Sequence, residues 1–343
     1  MYNILCEILL KLGGKPPFTF RQLAGGRNNR AFLLDSGGRR FFVKFFLPET
    51  VAERRNLEHE TDFLRYSNLV TPGRTPRLLL ADPGRNFLVT EFVEGEPFRG
   101  NVTEREVSEA ARWIRDLNSA PSPPALLPAA DSCRCNQDHF KGVARRLESL
   151  ISSEAVSDGK HPSLVLFLEQ LKHDFAVLEE ESFFLPENPD RMQIVSPSDF
   201  GFHNILRLSS GQFLFLDFEY AGWDDPAKLI CDFFCQPDDP VPVSFLDVFL
   251  EEMSGILPDA ALLKKRLRVL LNLHRIKWSC ILLNELLPSR ARNRVFSGTD
   301  GIPVPNLLAR ARKYYENPLS RRHDSDPGDS GRVQRIAGEE SVS

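Results

Sequence analysis

Three oxygen-bearing side chains fall close together in the second half of the chain. Asp199 and Asn204 lie in SPSDFGFHNIL (196–206), and Asp217 lies in FLFLDFEYAG (213–222). Both stretches are apolar and read as buried, where a lone carboxylate is costly unless it is paired, metal-bound or catalytic. Phosphoryl transfer uses this set. One Asp faces the acceptor hydroxyl, an Asn five residues on helps hold magnesium, and a second Asp bridges the metal to the nucleotide phosphates. SSGQ (209–212) is a turn between two short strand-like runs, so a hairpin brings Asn204 and Asp217 side by side. Together they offer Mg2+ oxygen ligands without excess charge.

Phosphoryl transfer also needs a cation over the phosphates. Lys44 sits in FFVKFF (41–46), a run apolar on both faces, where an ammonium needs a partner. Glu60 is that candidate, on the helical stripe Glu53–Leu57–Glu60–Leu64. Glu53 competes, but its spacing from Thr50 is that of a capping box. The alternative for Lys44 is an edge-strand lysine whose stem is buried and whose head reaches water. Ahead of it, GGRNNRAF (25–32) places Gly25 and Gly26 where backbone can approach a phosphate, with Asn28 and Asn29 adding polar groups. A plain hairpin would use the same residues.

The elements that must position these groups follow from periodicity. Residues 1–12 read as an amphipathic helix; 18–25, 29–37 and 39–46 read as a meander of strands, with DSGG (35–38) as a turn. A helix over 48–67 and strands at 77–82 and 86–92 complete a five-stranded sheet with one helix. Helical patterns then dominate, at 103–118, 138–154, 162–181, 242–254, 259–286 and 304–316, with 192–218 extended between them. The fold class is α+β: a small antiparallel sheet followed by a mostly helical part, divided here into 1–95 and 96–317. NSAPSPPALLPAADS (118–132) reads as a linker, and the polar segment 318–343 as disordered.

Composition narrows the function classes. The chain has 343 residues, 42% hydrophobic and 26% charged, with a formal net charge of −4. That balance argues against a nucleic-acid binder, which carries a basic surplus. The longest apolar region, 267–287, is broken by Arg268, His274, Arg275 and Lys277, so no membrane span is expected. MYNILCEILLKLGG lacks a basic n-region and a cleavage site, and six scattered cysteines read as free thiols; both point to the cytoplasm.

Taken together, these motifs resemble the aminoglycoside phosphotransferase and choline kinase-like family over roughly residues 20–290. Gly25-Gly26-Arg27-Asn28-Asn29 is similar to its phosphate loop, Lys44 to its strand lysine and Glu60 to its helix glutamate. LVTEFVEGEPF (88–98) is similar to its hinge, PSDFGFHN (197–204) to its catalytic loop, and LDFEYAGWDDPAKLICDF (216–233) to its metal-binding segment. The resemblance implies a two-lobed protein-kinase-like fold and transfer of phosphate from ATP or GTP, with Mg2+, to a small-molecule hydroxyl. It implies that backbone of Glu91, Phe92 and Val93 meets the base, that Asp199 is catalytic and that Asn204 and Asp217 hold the metal. Asp225-Pro226 and Asp232 match structural positions. The acceptor expected is a sugar, amino alcohol or aminoglycoside-like molecule, the protein a monomer or homodimer. The departure lies before Asp199: the family's histidine is Pro197 and its glycine is Ser198, so a difference is expected in the support of the loop. His203, where the family often has glycine, reads as a loop histidine bonded to backbone. A catalytically silent nucleotide-binding or scaffold protein of the same fold is the alternative.

Two further features stand out in the sequence. Cys133, Cys135 and His139 lack the spacing of a zinc site, and Cys231 and Cys235 read as helix-core thiols. Residues 217–259 hold eleven acidic residues and one basic residue, Lys228. The resemblance implies that acidic groups here help bind a cationic or polyhydroxyl acceptor. Asp238, Asp239, Glu251 and Glu252 could do so, or could form a solvated face.

Overall fold

The computed structural model describes residues 2–23, 29–47, 55–120, 125–257, 259–288, 290, 296 and 301–317. The first element is a helix, α1 (Tyr2–Lys11), followed by β1 (Phe18–Leu23), β2 (Asn29–Ser36) and β3 (Arg39–Phe46). Helix α2 (Asn56–Val70) leads to β4 (Leu78–Asp82) and β5 (Phe87–Glu91). The five strands pair antiparallel in the order β1-β2-β3-β5-β4, with Lys44 opposite Ala31 on one side and Leu88 on the other. Lys44 is therefore in the middle strand, which removes the edge-strand reading. The start of the 48–67 helix, with its Thr50–Glu53 capping box, lies outside the described residues, as does the 318–343 segment.

The sheet is apolar on both faces because it is covered twice. Alternate residues Phe41, Val43 and Phe45 point to one side and form a cluster with Leu5, Ile8 and Leu9 of α1. Phe46 and Leu88 point to the other side and join the main core with Leu57, Phe63 and Leu64 of α2. Lys44 shares that second face, so α2 roofs it.

Beyond β5 the chain forms a short strand β6 (Glu96–Pro97) and then helices α3 (Glu104–Leu117), α4 (Asn136–Ile151), α5 (Glu154–Ser157) and α6 (Pro162–Ser182). The region read as extended is only partly so. It holds β7 (Ile194–Ser196), a single 3-10 turn at Phe202–Asn204, and the hairpin β8 (Ile205–Arg207) and β9 (Phe213–Phe215). β6 adds to the hairpin, and β7 pairs with β10 (Gly222–Asp224). Helices α7 (Pro226–Cys235), α8 (Leu246–Glu252), α9 (Ala260–Leu282) and α10 (Val304–Tyr315) follow. α4, α6, α7 and α10 all pack on α9.

The helical ranges read from the sequence leave out α7, although Cys231 and Cys235 within it read as helix-core thiols. Every residue of α7 is buried, including Lys228 and Asp232, which stand one turn apart and pair with each other, so its charged stripe faces protein rather than solvent. Part of the expected linker is also structural. Trp223 N–H donates to the Leu127 carbonyl at 3.0 Å and Ala129 N–H donates to Trp223 at 2.9 Å, so 127–129 is stitched along β10.

Candidate active site

Lys44 is the centre of the site. Its Nζ lies 2.7 Å from Glu60 Oε2, 2.6 Å from Asp217 Oδ1 and 3.5 Å from Glu219 Oε2. Burial by itself would lower the lysine pKa, but Asp217, Glu60 and Glu219 outweigh it and hold the ammonium well above its ordinary range. Glu60 is pushed the other way from a usual ion-paired carboxylate: burial raises it to about 7, against the pull of Lys44 and with help from Asp217 and Glu219. Glu60 reaches Lys44 because Leu57, Glu60 and Leu64 share the buried stripe of α2. Phe46 adds its ring face 5.1 Å from the ammonium.

Glu219 was not singled out from the sequence. It is 3% exposed, and Asn29 Nδ2 donates to its Oε2 at 2.6 Å. The signal was present as period-two spacing from Asp217, with Phe218 between them. Phe218 is buried and stacks on Phe63 at 4.5 Å, so the segment carrying Asp217 and Glu219 is clamped to the helix carrying Glu60.

The two opening carboxylates are less buried than their neighbours suggested. The side chain of Asp199 is 30% exposed and that of Asp217 is 41% exposed, while the flanking Phe200 and Phe218 are buried. Left-handed backbone at Ser198 (φ 68°) and at Asp217 (φ 63°) interrupts the strand alternation and turns the carboxylates out of the core. Desolvation raises the Asp217 carboxyl above its usual range, with Lys44 opposing it. Two-fifths of that side chain stays open to water, and its Oδ1 is held by the 2.6 Å ion pair to Lys44.

The hairpin places Asn204 as expected. Ile205 pairs with Phe215, and Leu216 N–H donates to the Asn204 carbonyl at 2.9 Å, one residue from Asp217. Asn204 Nδ2 donates to the Asp199 carbonyl at 3.0 Å, which ties both ends of the loop together. His203 is bonded to side chains, a correction to the backbone role expected for it. Its Nε2 lies 3.5 Å from Asp199 Oδ1 and 3.1 Å from Gln236 Nε2. Burial lowers the imidazole pKa, but the hydrogen bond and charge of Asp199, with Asp238 and Asp217, raise it overall.

Gly25, Gly26 and Asn28 lie outside the described residues. Asn29 opens β2 and faces Glu219 as described. In the hinge, Phe92 N–H donates to the Arg40 carbonyl at 3.2 Å, so that amide is already engaged. The Glu91 carbonyl accepts from Thr90 Oγ1 at 3.0 Å, and among the described residues Val93 N–H has no protein acceptor.

The donor set suits a hard divalent cation. Carboxylate oxygens of Glu60, Asp217 and Glu219 converge within 4.8 Å of one another, with the Lys44 ammonium in contact with all three. Among the described residues Lys44 is a cation shared by these three carboxylates, and Asn204 is joined to the Asp217 segment through its backbone carbonyl, which accepts from Leu216 N–H. An all-oxygen, partly open set fits Mg2+ rather than zinc. The Cys133, Cys135 and His139 group belongs elsewhere: His139 is buried against His274 at 2.9 Å and Asp225 at 3.3 Å, and all six cysteines are free. Of the acidic residues weighed for acceptor binding, Glu252 pairs with Arg115 at 3.3 Å and Asp238 with Arg310. Asp239 is raised by burial, against His203 nearby.

A strand lysine anchored by a helix glutamate, beside a loop-and-hairpin set of Asp, Asn and Asp, defines a small-molecule phosphotransferase with a hydroxyl acceptor. The comparisons agree. The model of the phosphotransferase enzyme family matches residues 19–243, and the chain belongs to that family. Among curated protein sequences none matches. Solved structures share the fold. Spectinomycin phosphotransferase APH(9)-Ia, in complex with ADP and spectinomycin, is 14% identical with a TM-score of 0.60, over 91% of this chain and 98% of that one. Choline kinase LicA from Streptococcus pneumoniae is 16% identical, TM-score 0.59, over 91% and 98%. Choline kinase from Cryptosporidium parvum Iowa II is 15% identical, TM-score 0.53, over 93% and 98%. The two-lobed α+β, protein-kinase-like fold expected from the sequence is thereby borne out.

Proposed function

We propose that the protein transfers the γ-phosphate of a Mg-nucleoside triphosphate, ATP or GTP, to a hydroxyl of a sugar, amino alcohol or aminoglycoside-like molecule. The observation that carries this is the Lys44 ammonium bridging Glu60 and Asp217 at 2.7 and 2.6 Å, with Asp217 still open to solvent. In this reading residues 1–95 form the nucleotide lobe and 96–317 the acceptor lobe. The turn at Gly25, Gly26, Asn28 and Asn29 covers the phosphates, and the Glu91–Val93 backbone receives the base, chiefly through Val93 N–H. Lys44, held by Glu60, meets the phosphate oxygens. Asn204 and Asp217 hold Mg2+, which when bound neutralises charge on the transferred group. Asp199 orients the acceptor hydroxyl and takes its proton, and His203 restrains the Asp199 carboxylate.

Six free thiols support a cytoplasmic setting, with the protein a monomer or homodimer. Among the described residues no helix is long and apolar enough to cross a membrane. The test is nucleoside diphosphate release by purified protein with Mg2+ and a panel of sugars, amino alcohols and aminoglycosides. Release should depend on acceptor, and Asp199→Asn should lower it by about a thousandfold or more, since acid–base and positioning roles are both lost. Tight Mg-nucleotide binding with no acceptor ever phosphorylated would instead mark a silent nucleotide-binding protein of this fold.

A further inference from the structure

The loop before Asp199 carries Pro197 and Ser198 in an unusual conformation, and something must hold it. Ser198 is 7% exposed and left-handed at φ 68°, a backbone state that L residues other than Asn, Asp and Gly adopt at a cost. Its N–H donates to Ser196 Oγ at 3.0 Å, and the next amide, that of Asp199, donates to the Pro197 carbonyl at 3.0 Å. The Ser198 hydroxyl meets the one buried basic side chain of α7, Lys228, at 3.4 Å.

Lys228 is 2% exposed and uses its three donors on three partners. Nζ lies 2.7 Å from Asp224 Oδ2 at the end of β10, 3.1 Å from Asp232 Oδ2 one turn along α7, and 3.4 Å from Ser198 Oγ. The two carboxylates are themselves fixed. Asp224 Oδ1 accepts from the Cys133 and Asp225 amides, each at 2.9 Å, and Asp232 Oδ1 accepts from Lys277 at 2.5 Å. The ammonium is thus held rigidly by α7, α9 and β10, and its third donor ends on the residue before Asp199. A lysine buried only to neutralise two aspartates needs no contact with that loop.

We propose that Lys228 is a positioning residue for phosphoryl transfer, which through the Ser198 hydroxyl holds the Pro197–Asp199 turn and so sets where Asp199 meets the acceptor. This rests on the function proposed above, and the test separates the two. Ser198→Gly relieves the backbone but removes the hydroxyl, and it leaves the Lys228 ion pairs intact. Hydrogen exchange at the bonded Asp199 and Asn204 amides should quicken in Ser198→Gly by about tenfold or more, with α7 amides unchanged. Acceptor-dependent kcat should fall about tenfold while nucleotide KM stays within a factor of about two, as expected for a misplaced base and an intact nucleotide site. Lys228→Met, where it folds, should quicken the same amides, and adding Ser198→Gly to it should change them no further. Wild-type exchange in Ser198→Gly, whatever its turnover, overturns the proposal, as does an additive effect in the double variant. If the wild-type protein phosphorylates no acceptor, the function fails and the exchange data alone decide the role of Lys228.

Discussion

Lys44 carries one positive charge into the company of three carboxylates. Removing it takes from buried Glu60 the ammonium it pairs with at 2.7 Å and from Glu219 a nearby positive charge, a change that typically costs about 3 kcal/mol or more. Lys44→Met should therefore lower the urea midpoint as well as abolish phosphoryl transfer, whereas Asp217→Asn should lose activity with stability near or above wild type. Asp217 is the open member of the set, and removing its charge relieves repulsion with Glu219. A Lys44→Met protein as stable as wild type would show that the carboxylates are protonated or solvated rather than paired. Glu60→Gln should be far milder in kcat than Asp217→Asn, because Glu60 only orients Lys44 while Asp217 is proposed to meet the metal. At this scale the sequence was informative about types and order. It failed for Glu219, whose partners Asn29 and Lys44 come from β2 and β3, and for His203, whose partner Gln236 lies at the end of α7.

The elements matter through two contacts that lock them. Phe218 stacked on Phe63 joins the Asp217 segment to α2, and Trp113 stacked on Phe215 at 3.8 Å joins the hairpin to α3. Phe63→Ala should cost about 3–5 kcal/mol from lost burial and the cavity left behind. Any folded fraction should show a weakened nucleotide affinity as α2 loosens from Lys44, measurable by calorimetric titration. Gly222 marks a further close contact between elements. A Cβ there would stand 2.2 Å from the Leu127 carbonyl oxygen and 2.7 Å from the Ala129 nitrogen, and both are backbone. Gly222→Ala must push the 127–129 segment off β10, so a loss of roughly 2 kcal/mol or more is expected in thermal unfolding. A melting temperature unchanged by that methyl group would show that the segment is free to move. A proline-rich stretch read as linker could not announce this, because its partner strand lies almost a hundred residues later.

For the molecule as a whole, the buried polar core of the helical part sets the response to pH. His274 Nδ1 lies 3.3 Å from Asp232 Oδ1, and its other ring nitrogen 2.9 Å from His139 Nδ1. Burial first, and then Lys277, push its pKa down to about 3 against the pull of Asp232. An unfolded histidine titrates near about 6.5, so below that pH the unfolded chain binds a proton that the folded chain refuses. Stability contributed here is present above about pH 6.5 and is lost as pH falls toward about 3, at no more than about 1.4 kcal/mol per pH unit. Urea midpoints measured from pH 7 to pH 4 should fall more steeply for wild type than for His274→Asn, which has no proton to bind. Equal slopes would mean that His274 titrates normally in the fold.

What the amino-acid order determined by itself was the chemistry and its local frame. Lys44 in an apolar strand, Glu60 on a helical stripe, and Asp199, Asn204 and Asp217 around a short hairpin are all set by period, turn residues and spacing, which are local properties. The tertiary structure decided how that chemistry is held. The ten-residue α7 is buried on every side with its charged pair inside the protein, and Glu219 and His203 find their partners only when distant segments meet. Ser198 and Asp217 take left-handed backbone that turns their loops outward, and neither is a residue whose type demands it. Whether Pro197 and Ser198 weaken the loop also lay beyond local reading. The ammonium that reaches Ser198 comes from Lys228, thirty residues on, and is aimed there by Asp224 and Asp232. A charge can be assigned a partner only where the chain folds back to provide one.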